Sequence, residues 1–476
     1  MSATKVAVVG AGPGGYAAAF MAADLGLDVT LIDRDPNPGG VCLYRGCIPS
    51  KSLLHVAKLI GDAREAAQWG VAFGEPKIQL EKLRTFKEKI VERLTGGLGQ
   101  LSRQRKIRYL RGDARFEDSH SLTVAGADGD AHRASFDHII LATGSRPASL
   151  PNVSFDSPRV WSSTDALELG EIPKNLLVVG GGYIGLELGA VYAALGTEVT
   201  VVEMMSGLLP GVDRDLVSVL AKRLERDFAS TMLDTRVTEM EEQEDGIAVG
   251  FDGKDAPEEK RRFDRVLVAV GRKPNSRIPG LDSTKVELDS KAFIRVDAQR
   301  RTHDPAIFAI GDVAGEPMLA HKATHEGRVA AEAIAGLRSA FEPAAIPAVV
   351  FTDPEIAWCG LTETEAGKQE REIRVARFPW AASGRAVSMD RPEGLTKLLV
   401  DPETERLLGA GIVGSGAGEL ISEAVLAVEM AARVEDVALS IHPHPTLSET
   451  LMEAAESFFG QSTHVHRASD KARKRS

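Results

Sequence analysis

Apolar residues in this chain fall into two rhythms. Short unbroken runs, Val6-Ala-Val-Val9, Val29-Thr-Leu-Ile32, Leu176-Leu-Val-Val179 and Val199-Thr-Val-Val202, have the length and β-branched content of strands buried on both faces. Small-residue stretches with a helical pattern separate the runs of each pair. Residues 51–105 read mainly as helices, with Lys, Arg and Glu interleaved among Leu, Ile and Val. Beyond Pro343 and Pro347 the pattern changes again. Strands at 396–400 and 409–413 alternate with helices at 419–433 and 447–459, and the last 16 residues, rich in Arg and Lys, read as a solvated flexible tail.

The first two run pairs are copies of one unit. Val6–Val9 leads into Gly10-Ala-Gly-Pro-Gly-Gly15, a helix, and a strand ending at Asp33; Leu176–Val179 leads into Gly180-Gly-Gly-Tyr-Ile-Gly185, a helix, and a strand ending at Glu203. In each copy the acid follows the third glycine by 18 residues, close to the spacing of a ribose-binding carboxylate. Gly10 and Gly180 suit the tight turn, Gly12 and Gly182 let a pyrophosphate approach the backbone, and Gly15 and Gly185 allow helix–strand contact. The helix N-terminus then offers free amides to phosphate. Phe136-Asp-His-Ile-Ile-Leu-Ala-Thr-Gly-Ser-Arg-Pro147 likewise matches Phe263-Asp-Arg-Val-Leu-Val-Ala-Val-Gly-Arg-Lys-Pro274. The interval from glycine motif to this match is 126 residues in the first copy and 83 in the second, so the first carries 43 more. The expected fold is α/β, with two Rossmann-like dinucleotide-binding domains and a C-terminal α/β domain. The boundaries expected are 1–147, 148–275, a segment 276–345 returning to the first domain, 346–460, and the tail 461–476.

Composition narrows the reading further. A chain of 476 residues with 43% hydrophobic and 26% charged residues is expected to form several soluble domains, and a net charge of −11 argues against nucleic-acid binding. No apolar run is long enough to suggest a membrane span. The first strand begins too early to leave room for a secretory signal, so a cytoplasmic protein is expected. Only Cys42, Cys47 and Cys359 occur, too few for a disulfide-stapled fold. Around the close pair, His55 is the one obvious further ligand, so redox chemistry is favoured over zinc and no metal is expected.

Cys42-Leu-Tyr-Arg-Gly-Cys47 lies in the surplus of the first copy. Two cysteines five apart on an ideal helix are too distant for an unstrained disulfide, but Gly46 and Pro49 permit a distorted first turn. A helix N-terminus there would favour a thiolate. The alternative is a pair of unconnected buried thiols. Near the other end, His442-Pro-His-Pro-Thr-Leu-Ser-Glu449 offers two histidines suited to proton transfer near neutral pH. Glu203 is followed by Met204-Met205 with no arginine for a 2′-phosphate, which favours NAD over NADP.

The segment Gly39–Lys51 resembles the active-site signature of dihydrolipoyl dehydrogenases, within the class I pyridine nucleotide–disulfide oxidoreductases. The resemblance extends through Ala142-Thr-Gly144, Gly180–Glu187, Gly271-Arg272, Gly311-Asp312, Met318–Lys322 and His442–Glu449. It implies that Cys42 exchanges with a dithiol substrate and Cys47 faces a flavin. FAD would then be held by Gly10, Gly12, Gly15, Asp33, Lys51, Thr143, Gly144, Asp312 and Ala320, with Ala114 presenting backbone to the adenine. NAD would be held by Gly180, Gly182, Gly185 and Glu203, with Tyr183 as a lid over the flavin and Ala269, Gly271 and Arg272 lining the cleft. Lys51 would pair with Glu187, which alone reads as a solvated helix residue, and Asp312 alone as an ordinary turn.

By the same resemblance His444, rather than His442, is the base, held by Glu449, in a C-terminal dimer-interface domain that serves the other subunit of a homodimer. The implied partners are the lipoyl-bearing acyltransferase core of a 2-oxo acid dehydrogenase complex and a glycine-cleavage lipoyl protein. Rivals are another disulfide reductase of this fold or a non-catalytic flavoprotein scaffold. No cysteine pair follows Cys359, as mercuric reductases would have. Tyr44-Arg45 and Pro443 depart from the usual asparagine-valine and alanine.

Overall fold

Four consecutive buried residues, Val6 to Val9, need apolar cover on both faces, and a parallel sheet sandwiched by helices provides it. The computed structural model, which describes residues 3–126, 130–150 and 155–466, builds such a sheet around the strand Lys5–Val9. The strands Ile307–Ala309, His138–Leu141, Lys5–Val9, Asp28–Asp33 and Arg108–Arg111 run parallel in that order. The helix Pro13–Asp24 buries Gly14, Gly15, Ala18, Ala19 and Ala22. This small-residue face lets it approach the helix Ala320–Ile334 so closely that a Cβ on Gly327 would stand 2.5 Å from the Gly14 carbonyl oxygen.

The second copy repeats this register by register. Ser230–Met232, Glu198–Val202, Asn175–Val179 and Arg265–Val268 run parallel in that order. Each copy also carries a three-stranded antiparallel meander that the sequence pattern did not reveal. In the first it is Asp113–Asp118, Ser121–Ala125 and Ala131–Ser135; in the second, Thr235–Gln243, Gly246–Gly253 and Arg261–Phe263. The segments that follow the matched glycines pair with each other: Ser145–Pro147 lies antiparallel to Arg272–Pro274.

The chain forms two units, Met1–His55 with Glu75–Glu171 and Val270–Glu342, and Val56–Gly74 with Ile172–Ala269 and Pro343–Ser476. Two features differ from the sequence-based division. Residues 56–74, expected in the first nucleotide domain, group with the second unit, where Arg223 bonds Glu65 at 2.6 Å and Trp69 donates to Asp390 at 2.8 Å. Residues 172–269 and the C-terminal domain, expected apart, form one unit. The latter contains the antiparallel sheet Ala348–Val350, Glu355–Gly360, Leu407–Gly414, Leu395–Val400 and Arg374–Pro379, covered by the helices Ala417–Glu429 and Glu449–Phe459. The expected tail also begins later. Ser462 and His464 both bond Glu453, and Val465 packs on the core, so residues 461–466 are held; the basic residues from Arg467 onward lie outside the described residues.

A buried lysine ties two distant segments of the second unit to one strand. Lys397, 1% exposed, places Nζ 2.7 Å from carboxylate oxygens of Asp213, Asp215 and Glu363. These carboxylates have the spacing of a cation site, and the cation they hold is the Lys397 ammonium, assisted by Arg377. Burial alone would push Asp213 and Asp215 up, but the bonds from Lys397, with those from Thr364 or Arg377, keep both below the ordinary carboxylate range. Such depressed carboxylates stabilise the fold fully above their unfolded pKa and lose that contribution as pH falls through the folded value. Lys397→Met should therefore lower unfolding free energy at pH 7 by about 3–5 kcal/mol. In urea titrations the gap should narrow below about pH 4. A variant as stable as wild type at pH 7 would show that the lysine is not the tie.

Candidate active site

Helical continuity fails between the two cysteines. The helix Gly40–Arg45 carries Cys42 and ends at Gly46, whose φ of −146° and ψ of −112° leave the helical region; a second helix, Cys47–Glu65, starts at the next residue. A Cβ on Gly46 would stand 2.9 Å from the Val41 carbonyl oxygen, so the break is tightest where glycine sits. The break brings together two side chains that an unbroken helix would separate. Both are thiols in this structure, Cys42 half-buried and Cys47 exposed. The side-chain bond with Cys47, and then burial, push the Cys42 thiol far up. Cys47, as the first residue of its helix, sits at the positive end of the dipole, which favours negative charge on sulfur. Lys51, one turn on, opposes the rise at Cys42. Tyr16, just past the third glycine, was not foreseen: burial, then Cys42 and Cys47, hold its hydroxyl protonated.

The two glycine turns are equivalent in their hydrogen bonds. Gly10 N donates to Ile32 O and Gly180 N to Val202 O, both at 2.8 Å. Ala11 N donates to Asp33 Oδ2 at 2.6 Å, and Gly181 N to Glu203 Oε2 at 2.7 Å. Each acid thus holds its own turn and keeps lone pairs for further donors. Gly10 has φ of +99°, and a Cβ on Gly15 would stand 1.8 Å from the Gly10 carbonyl oxygen, which explains both glycines. Gly12 and Gly182 are the N-caps of Pro13–Asp24 and Tyr183–Ala194. Neither helix has a side-chain cap or an acidic residue in its first turn, and a Cβ on Gly182 would meet nothing within 4 Å. Helix N-termini without a side-chain cap suit a pyrophosphate.

The remaining predicted residues fall as follows. Thr143 donates its hydroxyl to Asn275 O at 2.9 Å, and Asn275 Nδ2 returns a bond to Thr143 O. Gly144, at φ +70°, accepts the Asn275 amide on its carbonyl. Asp312 accepts from Ser145 Oγ, and Arg272 Nε donates to the same hydroxyl at 2.7 Å. Arg272, expected in the nicotinamide cleft, is therefore tied to the strand Ser145–Pro147 of the first unit. Ala320 opens the helix Ala320–Ile334, and Ala114 lies half-buried in the first meander, opposite Val124. Ala269 donates to Val179 O at the end of its strand; Gly271 accepts the Ala148 amide. Tyr183 is 39% exposed at its helix start. Glu187 is buried rather than solvated and accepts the Phe351 amide at 3.0 Å.

One of the buried acids that escaped the sequence reading lies beside Asp312. Glu326, fully buried, accepts from Gly311 N at 2.6 Å and pairs with Arg300 and Lys322, so it fixes the Gly311-Asp312 turn. Its nearest sequence signal is Lys322, four residues earlier.

The histidines divide by surroundings. His444 is 70% exposed, with Nδ1 2.9 Å from Glu449 Oε1. Burial pushes Glu449 up, but the Thr446 amide and His444 outweigh it and hold the carboxyl below its ordinary range. Glu449 therefore stays ionised and orients the ring. The side chain of His442 is only 6% exposed, with both ring nitrogens engaged, by Ser440 O and Glu423.

Residues 4–327 match the pyridine nucleotide-disulphide oxidoreductase family, and residues 346–455 its dimerisation domain. The chain is 50% identical to dihydrolipoyl dehydrogenase of Haemophilus influenzae over 98% of both chains. It is 44% identical to that of Haloferax volcanii over 97% of this chain and 98% of the relative. The chain belongs to the dihydrolipoyl dehydrogenase family. Among solved structures, LpdA from Mycobacterium tuberculosis superposes with a TM-score of 0.88 at 27% identity, covering 96% of this chain and 99% of that one. The flavoprotein disulfide reductase RclA from Escherichia coli gives 0.84 at 26%, covering 96% and 100%. Fold, class and cofactors agree with the sequence reading: the chain is an FAD- and NAD-dependent dihydrolipoamide oxidoreductase with a dimerisation domain. His444→Gln should lower kcat/KM for dihydrolipoamide by about 10²–10⁴-fold, the usual worth of a positioned base. His442→Gln should chiefly lower Tm. A His444→Gln enzyme with normal turnover, beside an inactive but fully stable His442→Gln enzyme, would reassign the base.

Proposed function

We propose that the substrate is dihydrolipoamide carried on another protein, oxidised by the Cys42–Cys47 pair with His444 as base. The observation that carries this reading is the helix break that sets the two sulfurs against each other. His444, oriented by ionised Glu449, takes the proton from one substrate thiol. The thiolate attacks Cys42 Sγ of the disulfide form, and Cys47 leaves as a thiolate at its helix N-terminus. The second substrate thiol then attacks the mixed disulfide, which releases lipoamide and leaves Cys42 and Cys47 reduced. Two protons and two electrons leave the substrate, so the exchange balances. Bound FAD supplies the two-electron passage from this dithiol to NAD⁺.

The same reading assigns Gly10, Gly12, Gly15, Asp33, Ala114, Thr143, Gly144, Asp312 and Ala320 to FAD, and Gly180, Gly182, Gly185, Glu203, Ala269 and Gly271 to NAD. Lys51 is assigned to FAD, and Glu187 and Tyr183 to the NAD-binding unit. Arg272 supports Asp312 through Ser145. The lipoyl donors are the acyltransferase core of a 2-oxo acid dehydrogenase complex and the glycine-cleavage lipoyl protein, in the cytoplasm.

His444 follows the cysteines by about 400 residues, within the dimerisation domain, so we assign it to the partner's Cys42. Subunit exchange tests this with two inactive parents, Cys42→Ser and His444→Ala, assayed with dihydrolipoamide and NAD⁺. Shared sites give hybrids with one intact site and up to about half of wild-type activity. Verified hybrids at the parental level would show that each chain supplies its own histidine. Parents that retain full lipoamide turnover would overturn the relay itself.

A further inference from the structure

Tyr44 and Arg45 stand between the redox cysteines, where a side chain could shape the path of the substrate. They reach instead to the loop that leaves the strand Asp28–Asp33. Arg45 grips Asp35 with both ends of its fork, Nη1 to Oδ1 at 3.1 Å and Nη2 to Oδ2 at 2.7 Å. Tyr44 Oη donates to Asn37 O at 3.1 Å and accepts from Asn37 N at 3.3 Å. The guanidinium also lies 5.6 Å from the centre of the Tyr44 ring.

The loop they grip is the continuation of the Asp33 strand. Asp35 N donates to Asp33 Oδ1 at 3.0 Å, while Asp33 Oδ2 accepts the Ala11 amide of the glycine turn. Tyr109 Oη donates to Asp35 O at 2.8 Å, and Gly39 N donates to Ala11 O at 2.8 Å. A continuous run of bonds therefore joins Arg45, Asp35, Asp33 and Ala11. Its charges also matter. Asp35 would otherwise stand as a second carboxylate beside Asp33, competing for the same donors and repelling phosphate. The bond to Asp35, opposed by burial and helped by the fields of Asp35 and Asp33, keeps Arg45 firmly protonated to cancel that charge.

We propose that Tyr44 and Arg45 are positioning residues for FAD: they hold the Asp33–Gly39 loop so that Asp33 and the free amides of Pro13–Asp24 are ready for the dinucleotide. The turn that carries the redox pair and the grip on the adenosine side are thereby one structure. This inference rests on assigning the Gly10–Asp33 unit to FAD.

The test is rebinding of FAD to apoprotein, read by quenching of flavin fluorescence. Arg45→Val, which installs the residue usual in the family, should weaken FAD binding by about tenfold, the scale of a charge-assisted bidentate bond. Arg45→Lys should recover part of the loss, because it restores the charge without the fork. Tyr44→Phe, which removes only the hydroxyl, gives a milder loss and serves if Arg45→Val does not fold. Asp35→Asn should add little to Arg45→Val, since the two remove the same contact. At saturating FAD the KM for dihydrolipoamide should change by less than about twofold, so the loss falls on cofactor retention. Unchanged FAD affinity in Arg45→Val and Tyr44→Phe, fully additive losses with Asp35→Asn, or a raised KM with normal FAD affinity would each overturn the proposal. Asp33→Ala separates it from its premise. If Asp33→Ala loses FAD while Arg45→Val does not, the brace alone falls; if Asp33→Ala binds FAD normally, the assignment falls with it.

Discussion

Everything in this chain's chemistry depends on one interruption: a helix that must stop after Arg45 so that another can begin at Cys47. Five helical residues span about 7.5 Å along the axis, beyond the α-carbon separation of a disulfide. The break at Gly46 removes that obstacle and gives Cys47 a helix N-terminus. The two sulfurs become unequal as a result. Cys47 lies at a helix N-terminus, where negative charge is favoured, which suits the sulfur that leaves when its partner is attacked.

Around this turn the protein uses one structural unit twice. Asp33 and Glu203 each accept the amide that follows the first glycine, so the carboxylate expected at a ribose also keeps its turn in shape. A helix without a side-chain cap follows in both copies. Its amides lack the partner that most helix starts recruit from their own sequence, as a phosphate site requires. The strands at the ends of the two copies, Ser145–Pro147 and Arg272–Pro274, pair directly, and through Ser145 they meet the Asp312 carboxylate.

What was legible in the sequence was local. Glycine spacing, the acid 18 residues on, and unbroken apolar runs depend on neighbours in the chain, and they predicted both nucleotide units. The choice of His444 over His442 needed the resemblance, because both sit beside prolines in the same loop; burial of His442 against Glu423 is a tertiary fact. Glu187 looked like a solvated helix residue because its acceptor role depends on Phe351, 164 residues away. Lys397 gave no signal for the same reason: its three carboxylates come from positions 213, 215 and 363. Tyr44 and Arg45 were visible as departures from the usual pattern, but only the structure shows that they turn toward Asp35 and Asn37.

The most direct test of the central claim is a count of thiols before and after substrate. The chain has three cysteines, so alkylation under denaturing conditions followed by peptide mass spectrometry assigns each one. Oxidised enzyme should label at Cys359 alone, with Cys42 and Cys47 recovered as one cross-linked peptide. After anaerobic addition of dihydrolipoamide without NAD⁺, all three should label. Labelling of Cys42 and Cys47 to the same extent before and after substrate would contradict the account.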